Sequence, residues 1–167
     1  NIIKELTLDE KILLLAPQTD IYTRGVERLG INPKAMADGP HGVRLPLEKN
    51  CTSFPSLAAV GASWDVELAE KMGEGIANDC KEHGIDLIFG PGVNMKRTPL
   101  CGRNFEYFAE DPVLAGEMAA GYINGMQKNG VSACIKHFAC NNQEKYRTIT
   151  NVEIDERTLR EIYLKAF

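Results

Sequence analysis

Charged and polar side chains occur at four places in the sequence, each at the end of an expected strand or in the loop just after it. They are Asp38 in MADGPHGVR, Arg103 in CGRNFE, Lys136 with His137 in IKHF, and Arg147 in QEKYR. An aspartate accepts hydrogen bonds from two neighbouring hydroxyls, lysine and arginine donate charge-assisted hydrogen bonds, and histidine does either according to its tautomer. One carboxylate, three cations and an imidazole together suit a polyhydroxylated ring.

A phosphate is the alternative ligand for the same side chains. Three cations would bind it, but Asp38 would repel it, and no glycine-rich loop opens a helix nearby. The segment FGPGVN at 89–94 is too short and too rich in proline to be a dinucleotide-binding turn. The sequence therefore favours the ring over the phosphate.

Each candidate also has a purely structural interpretation. Asp38 could stabilise the DGPHG turn, since Asp-Gly is common turn chemistry. Arg103 could form a structural ion pair with Glu106. Local sequence alone would place Lys136 and His137 on the surface.

Four acidic residues could in principle supply a catalytic pair inside the chain, namely Glu106, Glu110, Asp111 and Glu144. Asp111 is expected to cap a helix and Glu110 to lie at the positive end of its dipole. Glu106 and Glu144 each have an arginine three residues away in sequence, Arg103 or Arg147, and are expected to pair with it. We therefore expect no catalytic carboxylate pair within these residues.

The elements that must position these side chains alternate in a βαβ order. The predicted strands are Ile85–Gly90, Val131–Ile135 and a short strand end at Lys34–Ala37 before a tight turn. The predicted helices begin at Thr7, at Asp65 or Ser63 (ending at His83 with Gly84), at Asp111-Pro112 (ending at Gly130), and at Asp155. This order predicts an α/β fold with a parallel sheet, in which long loops after the strands build the site.

Composition narrows the classes of protein. The chain has 167 residues, of which 44% are hydrophobic and 25% charged, and a net charge of −4, which argues against a nucleic-acid partner. No apolar run of membrane-spanning length occurs. Five cysteines without a C-x-x-C pair predict no metal site and favour reduced thiols in a cytoplasm. The chain starts at Asn1 and stops inside a helical pattern, so we expect a piece of a longer protein.

Five motifs, in order along almost the whole chain, resemble glycoside hydrolase family 3 of the β-glucosidase type. They are DGPHGVR, SFPSLAAVGASWD, GPGVNMKRTPLCGRNFEYFAEDP, IKHFACNNQE and DERTLREIY. The resemblance implies a TIM-like (β/α)8 barrel followed by an α/β sandwich, and retaining hydrolysis of terminal non-reducing β-D-glucosyl residues without metal or cofactor. We therefore expect residues 1–167 to be the N-terminal part of that barrel, about its first three βα units.

The resemblance also implies a role for each candidate in binding a small oligosaccharide or glucoside. The implied contacts are the 4- and 6-hydroxyls for Asp38, the 3- and 4-hydroxyls for Arg103, the 2- and 3-hydroxyl side for Lys136 and His137, and the neighbourhood of the 2-hydroxyl and nucleophile for Arg147.

The family's nucleophile and acid/base residue lie in later segments, outside this chain. The SWD at 63–65 resembles the nucleophile motif but opens a helix. Three cations facing Asp38 alone would repel a cationic transition state, so we expect a downstream carboxylate to restore the balance. The alternatives are a truncated or carbohydrate-binding chain without catalysis and, more distantly, a phosphate-binding barrel enzyme.

Overall fold

Three parallel strands form one sheet, as the sequence predicts, and the strands lie in it in the order in which they occur in the chain. The computed structural model describes residues 1–45 and 50–167. The strands are β1 (Met36–Asp38), β2 (Leu87–Gly92) and β3 (Ser132–Lys136). Asp38 pairs with Phe89, and Gly92 pairs with Lys136, so the carboxyl ends of all three strands lie at one edge of the sheet. We call this edge the rim.

Helices connect the strands and cover the sheet. They are α1 (Ile2–Glu5), α2 (Leu8–Leu14), α3 (Leu57–Gly61), α4 (Val66–Glu82), α5 (Pro112–Lys128) and α6 (Glu156–Thr158). Helical turns of other types occur at Glu27–Leu29, Asn104–Glu106 and Leu159–Tyr163. Helix α4 lies between β1 and β2 in the chain, and α5 lies between β2 and β3, which is the predicted βαβ order.

The two long helices pack against each other through glycines. A Cβ atom on Gly73 would lie 2.2 Å from the backbone oxygen of Tyr122, and one on Gly125 would lie 2.1 Å from that of Glu70. Neither distance is possible for a real side chain, so glycine is required where the backbones approach. The contact closes the core over fully buried side chains such as Ile76.

The predicted helix starts are confirmed at their caps. Thr7 and Glu10 form the capping box in which each side chain accepts from the other residue's backbone N–H. Asp65 accepts from Leu68 N at 3.0 Å, so the SWD segment does open a helix. Asp111 caps α5 in the same way, with a proline in the first turn. Such caps satisfy backbone donors that the helix leaves free.

The strands extend one or two residues beyond their predicted ends. Strand β2 was expected to stop at Gly90 but continues through Pro91 to Gly92. Glycine and proline usually interrupt a strand. Glycine loses more backbone entropy on folding, and proline has no N–H to donate to the ladder. Here the ladder persists because Val93 N still donates to Lys136 O at 2.8 Å. As a result Asp38 and Lys136 are the last residues of their strands rather than loop residues.

Three α-helical segments differ from the prediction. Helix α1, which Asn1 caps by accepting from Ile3 N, was not expected. Helix α3 was not expected, although Ser56 caps it by accepting from Ala59 N. The last helix begins at Asp155 as predicted, but after three residues it becomes a π-helical turn, in which Leu164 N donates to Leu159 O at 2.8 Å. Among the described residues, no helix is long and apolar enough to cross a membrane.

The glycine contact between the long helices generates a stability prediction. Gly125→Ala should lower the free energy of unfolding by about 2 kcal/mol, because the added methyl group collides with the Glu70 backbone. Gly116→Ala in the same helix is the matched control, since its nearest neighbour would be Ala166 Cα at an ordinary 3.6 Å.

We expect Gly116→Ala to leave stability unchanged or raise it by up to ~1 kcal/mol through better helix propensity. Urea unfolding followed by circular dichroism measures both variants. Equal effects of the two substitutions would contradict the close packing of α4 on α5.

Candidate functional site

An ion pair joins the ends of the two outer strands. Lys136 Nζ lies 2.5 Å from Asp38 Oδ1, although the two residues are 98 positions apart in sequence. The Lys136 side chain is 11% exposed and that of Asp38 is 40% exposed. The lysine is thus fixed inside the rim, whereas the aspartate keeps one side open to solvent. The sheet topology produces this pairing, because parallel strands bring their carboxyl ends to one edge.

A second carboxylate, Glu106, lies below this pair and is almost completely buried at 4% exposure. Arg103 Nε donates to its Oε1, and Lys136 Nζ lies 3.6 Å from its Oε2. The backbone of Glu106 approaches β2 so closely that a Cβ on Gly92 would lie 2.4 Å from Glu106 O. The glycine at the end of β2 therefore allows this carboxylate to reach the rim.

The loop after β3 supplies a third carboxylate, Glu144. Arg103 Nη1 lies 3.6 Å from Glu144 Oε1, and Arg147 Nη1 lies 3.3 Å from Glu144 Oε2. Asn141 Nδ2 also donates to Glu144 at 3.1 Å. Glu144 therefore links the arginine of the β2 loop to the arginine of the β3 loop.

Ion pairs connect the charged side chains of the three strand ends and their loops. Lys136, Arg103 and Arg147 face the three carboxylates of Asp38, Glu106 and Glu144. The expected pairing of the two glutamates with Arg103 and Arg147 is confirmed. The expectation that three cations face Asp38 alone is wrong, because the glutamates that pair with the arginines lie at the rim themselves.

Burial and charge set the protonation states at the rim. Burial raises the pKa of Asp38, but the hydrogen bond and charge of Lys136 outweigh it and hold that pKa below its usual value. Burial, together with the nearby charges of Arg103 and Lys136, lowers the pKa of His137 to about 4. At neutral pH Asp38 is therefore ionised and His137 is uncharged.

The protein holds His137 on all of its polar atoms. Asn94 contacts its backbone N–H at 2.7 Å and its carbonyl at 2.9 Å, and Asn94 Oδ1 lies 3.3 Å from its Nδ1. Arg103 Nη2 lies 2.8 Å from its Nε2. A cis peptide bond joins His137 to Lys136. Both ring nitrogens thus have protein partners.

Two adjoining cavities open at the rim, with volumes of about 560 Å³ and 380 Å³. Asp38, Arg103 and Arg147 line both of them. Lys136 and His137 line the smaller one. All five side chains predicted from the sequence to bind the ligand therefore lie at a single cleft.

Sequence reasoning missed several residues of this cleft. Glu106, which lines the larger cavity, was not assigned to it. Asn94, the buried hydrogen-bond partner of His137, was not singled out either. Arg44 lines the larger cavity and ends the DGPHGVR motif, whose charge was a usable signal. Phe105 lies there too, edge-on to His41 with ring centroids 5.4 Å apart. Within the part of the chain that the structure describes, no group of three or more potential ligand side chains could hold a metal ion.

Comparison with known proteins gives a consistent family likeness. The sequence model described as the glycosyl hydrolase family 3 N terminal domain matches residues 17–167. Thermostable β-glucosidase B of Acetivibrio thermocellus is 48% identical over the whole of this chain, which covers 23% of that protein.

Two solved structures extend this likeness to the fold. A family 3 β-glucosidase of Bifidobacterium adolescentis superposes with a TM-score of 0.92 at 44% identity, over 98% of this chain and 24% of its own. β-Glucosidase 3B from Thermotoga neapolitana, solved in complex with glucose, gives 0.89 at 40% identity, over 99% of this chain and 26% of its own. The predicted partial TIM-like barrel is confirmed. The chain spans about a quarter of the length of these relatives.

The ion pair at the rim generates a prediction about proton binding. Lys136→Met should raise the pKa of Asp38, because the cation that holds it down is removed while burial, which raises it, remains. The Asp38 carboxyl carbon, followed by NMR as a function of pH, measures this shift. Lys34→Met is the control, since Lys34 pairs with Asp86 at 2.9 Å and should raise the pKa of Asp86 only. An unchanged Asp38 titration in Lys136→Met would refute the ion pair.

Proposed function

Since the chain belongs to glycoside hydrolase family 3, we propose that it forms the first part of the catalytic barrel of a retaining β-glucosidase. In this proposal the rim holds the terminal non-reducing β-D-glucosyl unit of a small oligosaccharide or glucoside. The observation that carries the proposal is the convergence of Asp38, Arg103, Lys136, His137 and Arg147 on one cleft. The β-glucosidase names of the relatives and the glucose complex of one of them support it.

The cleft offers the chemistry that a pyranose needs. The ionised Asp38 accepts hydrogen bonds from two adjacent hydroxyls, and its exposed side leaves room for them. Lys136 and Arg103 donate charge-assisted hydrogen bonds to hydroxyl oxygens. Because these side chains are already held by ion pairs, they lose little side-chain entropy when the sugar binds.

The rim carboxylates favour a neutral ligand over phosphate. A phosphate would add negative charge beside three carboxylates that already pair with Lys136, Arg103 and Arg147. A neutral sugar adds no charge. The phosphate-binding alternative therefore has less support from this geometry than from the sequence.

The chemical step needs two further carboxylates. A retaining glycosidase uses a nucleophile and an acid/base carboxyl about 5–5.5 Å apart. The cations that pair with Asp38, Glu106 and Glu144 disfavour the protonated form that an acid/base carboxyl needs. Glu106 is in addition too buried to reach a sugar as a nucleophile. We therefore place both catalytic carboxylates outside residues 1–167, as the family pattern implies.

One prediction of the proposed function concerns the 167-residue chain alone. It should release no p-nitrophenol from p-nitrophenyl-β-glucoside, because its own carboxylates are committed to ion pairs. The longer protein, carrying the family's later segments, is the positive control in the same assay. Turnover by the short chain that disappears in Glu106→Gln would show that the rim carboxylates catalyse the reaction after all.

Another prediction of the proposed function concerns sugar binding in the longer protein. Lys136→Ala or Asp38→Ala should lower kcat/KM for the glucoside by about a hundredfold or more, or ~2.7 kcal/mol, because each removes a charged hydrogen-bond partner of the sugar. Lys145→Ala is the matched control, since Lys145 lies over the Tyr146 ring in the same loop as Arg147 and lines neither cavity. Near-wild-type kinetics in both rim variants would reject the binding roles.

A further inference from the structure

We propose that Asn94 fixes the tautomer of His137, so that Nδ1 carries the proton and Nε2 presents its lone pair to Arg103, which lines the cleft. The inference deepens the proposed sugar site, on which its functional consequence rests. Asn94 would be a positioning residue that acts through His137 and Arg103. It was not among the residues that the sequence pointed to.

The backbone of His137 determines the orientation of the Asn94 amide. The backbone N–H of His137 can only donate, so the atom 2.7 Å from it must be the amide oxygen of Asn94. The carbonyl of His137 can only accept, so the atom 2.9 Å from it must be the amide nitrogen. If the amide were flipped, its NH2 group would face the backbone N–H of His137 and its oxygen would face the carbonyl oxygen. Asn94 is 3% exposed, so water cannot relieve such a conflict.

The orientation of Asn94 then determines the protonation of the ring. Its oxygen, which only accepts, lies 3.3 Å from His137 Nδ1 and therefore favours a proton on that nitrogen. Tyr107 Oη, 3.4 Å from Nδ1, receives the Asn141 amide and can donate to the Asn141 carbonyl, so it too can act as an acceptor for the ring. Both neighbours of Nδ1 are compatible with an N–H there.

The arginine on the other side requires the same tautomer. A guanidinium has only donors, so Arg103 Nη2 at 2.8 Å from Nε2 needs a lone pair on that nitrogen. A neutral ring with its proton on Nδ1 is the only form that satisfies Asn94 and Arg103 together. His137 in turn helps to hold the Arg103 guanidinium beside Glu106 and Glu144.

The surrounding charges keep the ring neutral. The groups that act on His137 electrostatically are Arg103 and Lys136, which disfavour its charged form, and Glu106 and Asp38, which favour it; the Tyr107 hydroxyl adjoins it. Burial adds to the effect of the cations, and burial also raises the pKa of Tyr107 to about 12. The tautomer is therefore a fixed property of the site over the neutral pH range.

The direct test reads the ring nitrogens of the unmodified protein. The chain contains only three histidines, so 15N-labelling of histidine followed by long-range 1H–15N NMR at pH 7 resolves each ring. His41→Gln and His83→Gln assign the signals. We expect His137 to be neutral with the proton on Nδ1. A proton on Nε2, or a charged ring at pH 7, would overturn the proposal.

The second test uses Asn94→Asp in the longer protein. The substitution keeps the size of the side chain but places negative charge beside Nδ1, which favours the imidazolium and removes the lone pair that faces Arg103. We expect kcat/KM of this variant for the glucoside to be higher at pH 8 than at pH 5. The ratio of the two values should exceed the wild-type ratio by at least about tenfold. The control is Asn142→Asp. It removes an amide that donates to the carbonyl of Met95, the residue after Asn94, and it makes no hydrogen bond with His137.

The outcomes separate this inference from the proposed function. A loss of activity in Asn94→Asp that does not depend on pH, or an equal pH effect in Asn142→Asp, would reject the positioning role. Titration of the longer protein with glucose, monitored by NMR with the same histidine labelling, tests the sugar site independently. If His137 has the expected tautomer but glucose causes no shifts at the rim, the proposed function fails and the assignment of the tautomer stands.

Discussion

The rim depends on one constraint, which is that Glu106 carries its carboxylate into the interior at 4% exposure. An unpaired charge in such a place costs several kcal/mol, so the fold must bring cations to it. Arg103 comes from the same loop and pairs with Oε1 of Glu106, and Lys136 comes from the end of β3 and lies 3.6 Å from Oε2. The positions of these two cations around Glu106 then determine where the other charged groups of the rim can lie.

Backbone geometry makes this buried pairing possible. Gly92 removes the side chain that would block Glu106, and the pairing of Gly92 with Lys136 sets how far β3 extends toward the rim. The long helices stand behind the sheet in close contact, because glycines let their backbones approach. A displacement of β3 by one residue would turn the Lys136 side chain to the opposite face. The charged groups are therefore held by packing that lies outside the cleft.

The sequence predicted the architecture and the five candidate residues, because their signals are local or lie in long motifs. Caps at Thr7, Asp65 and Asp111 mark helix starts without reference to distant residues. The end of β2 was missed because its Gly-Pro-Gly segment is stabilised by pairing with distant residues, in β3 and at Tyr107. Asn94 gave no signal because its role depends on His137, 43 residues away. What could not be predicted thus depends on contacts between distant segments.

The side chains of Lys136 and Asp38 differ in solvent exposure, and this difference affects how a ligand would be recognised. Lys136 is 11% exposed and contacts two carboxylates, so a bound hydroxyl would have to fit a position that the protein already fixes. Asp38, at 40% exposed, has acceptor capacity remaining on its open side. A ligand that offers paired hydroxyls there makes new hydrogen bonds without breaking the ion pair. An analogue without those hydroxyls would desolvate the carboxylate with no compensation, and for buried polar groups such a loss discriminates strongly between ligands.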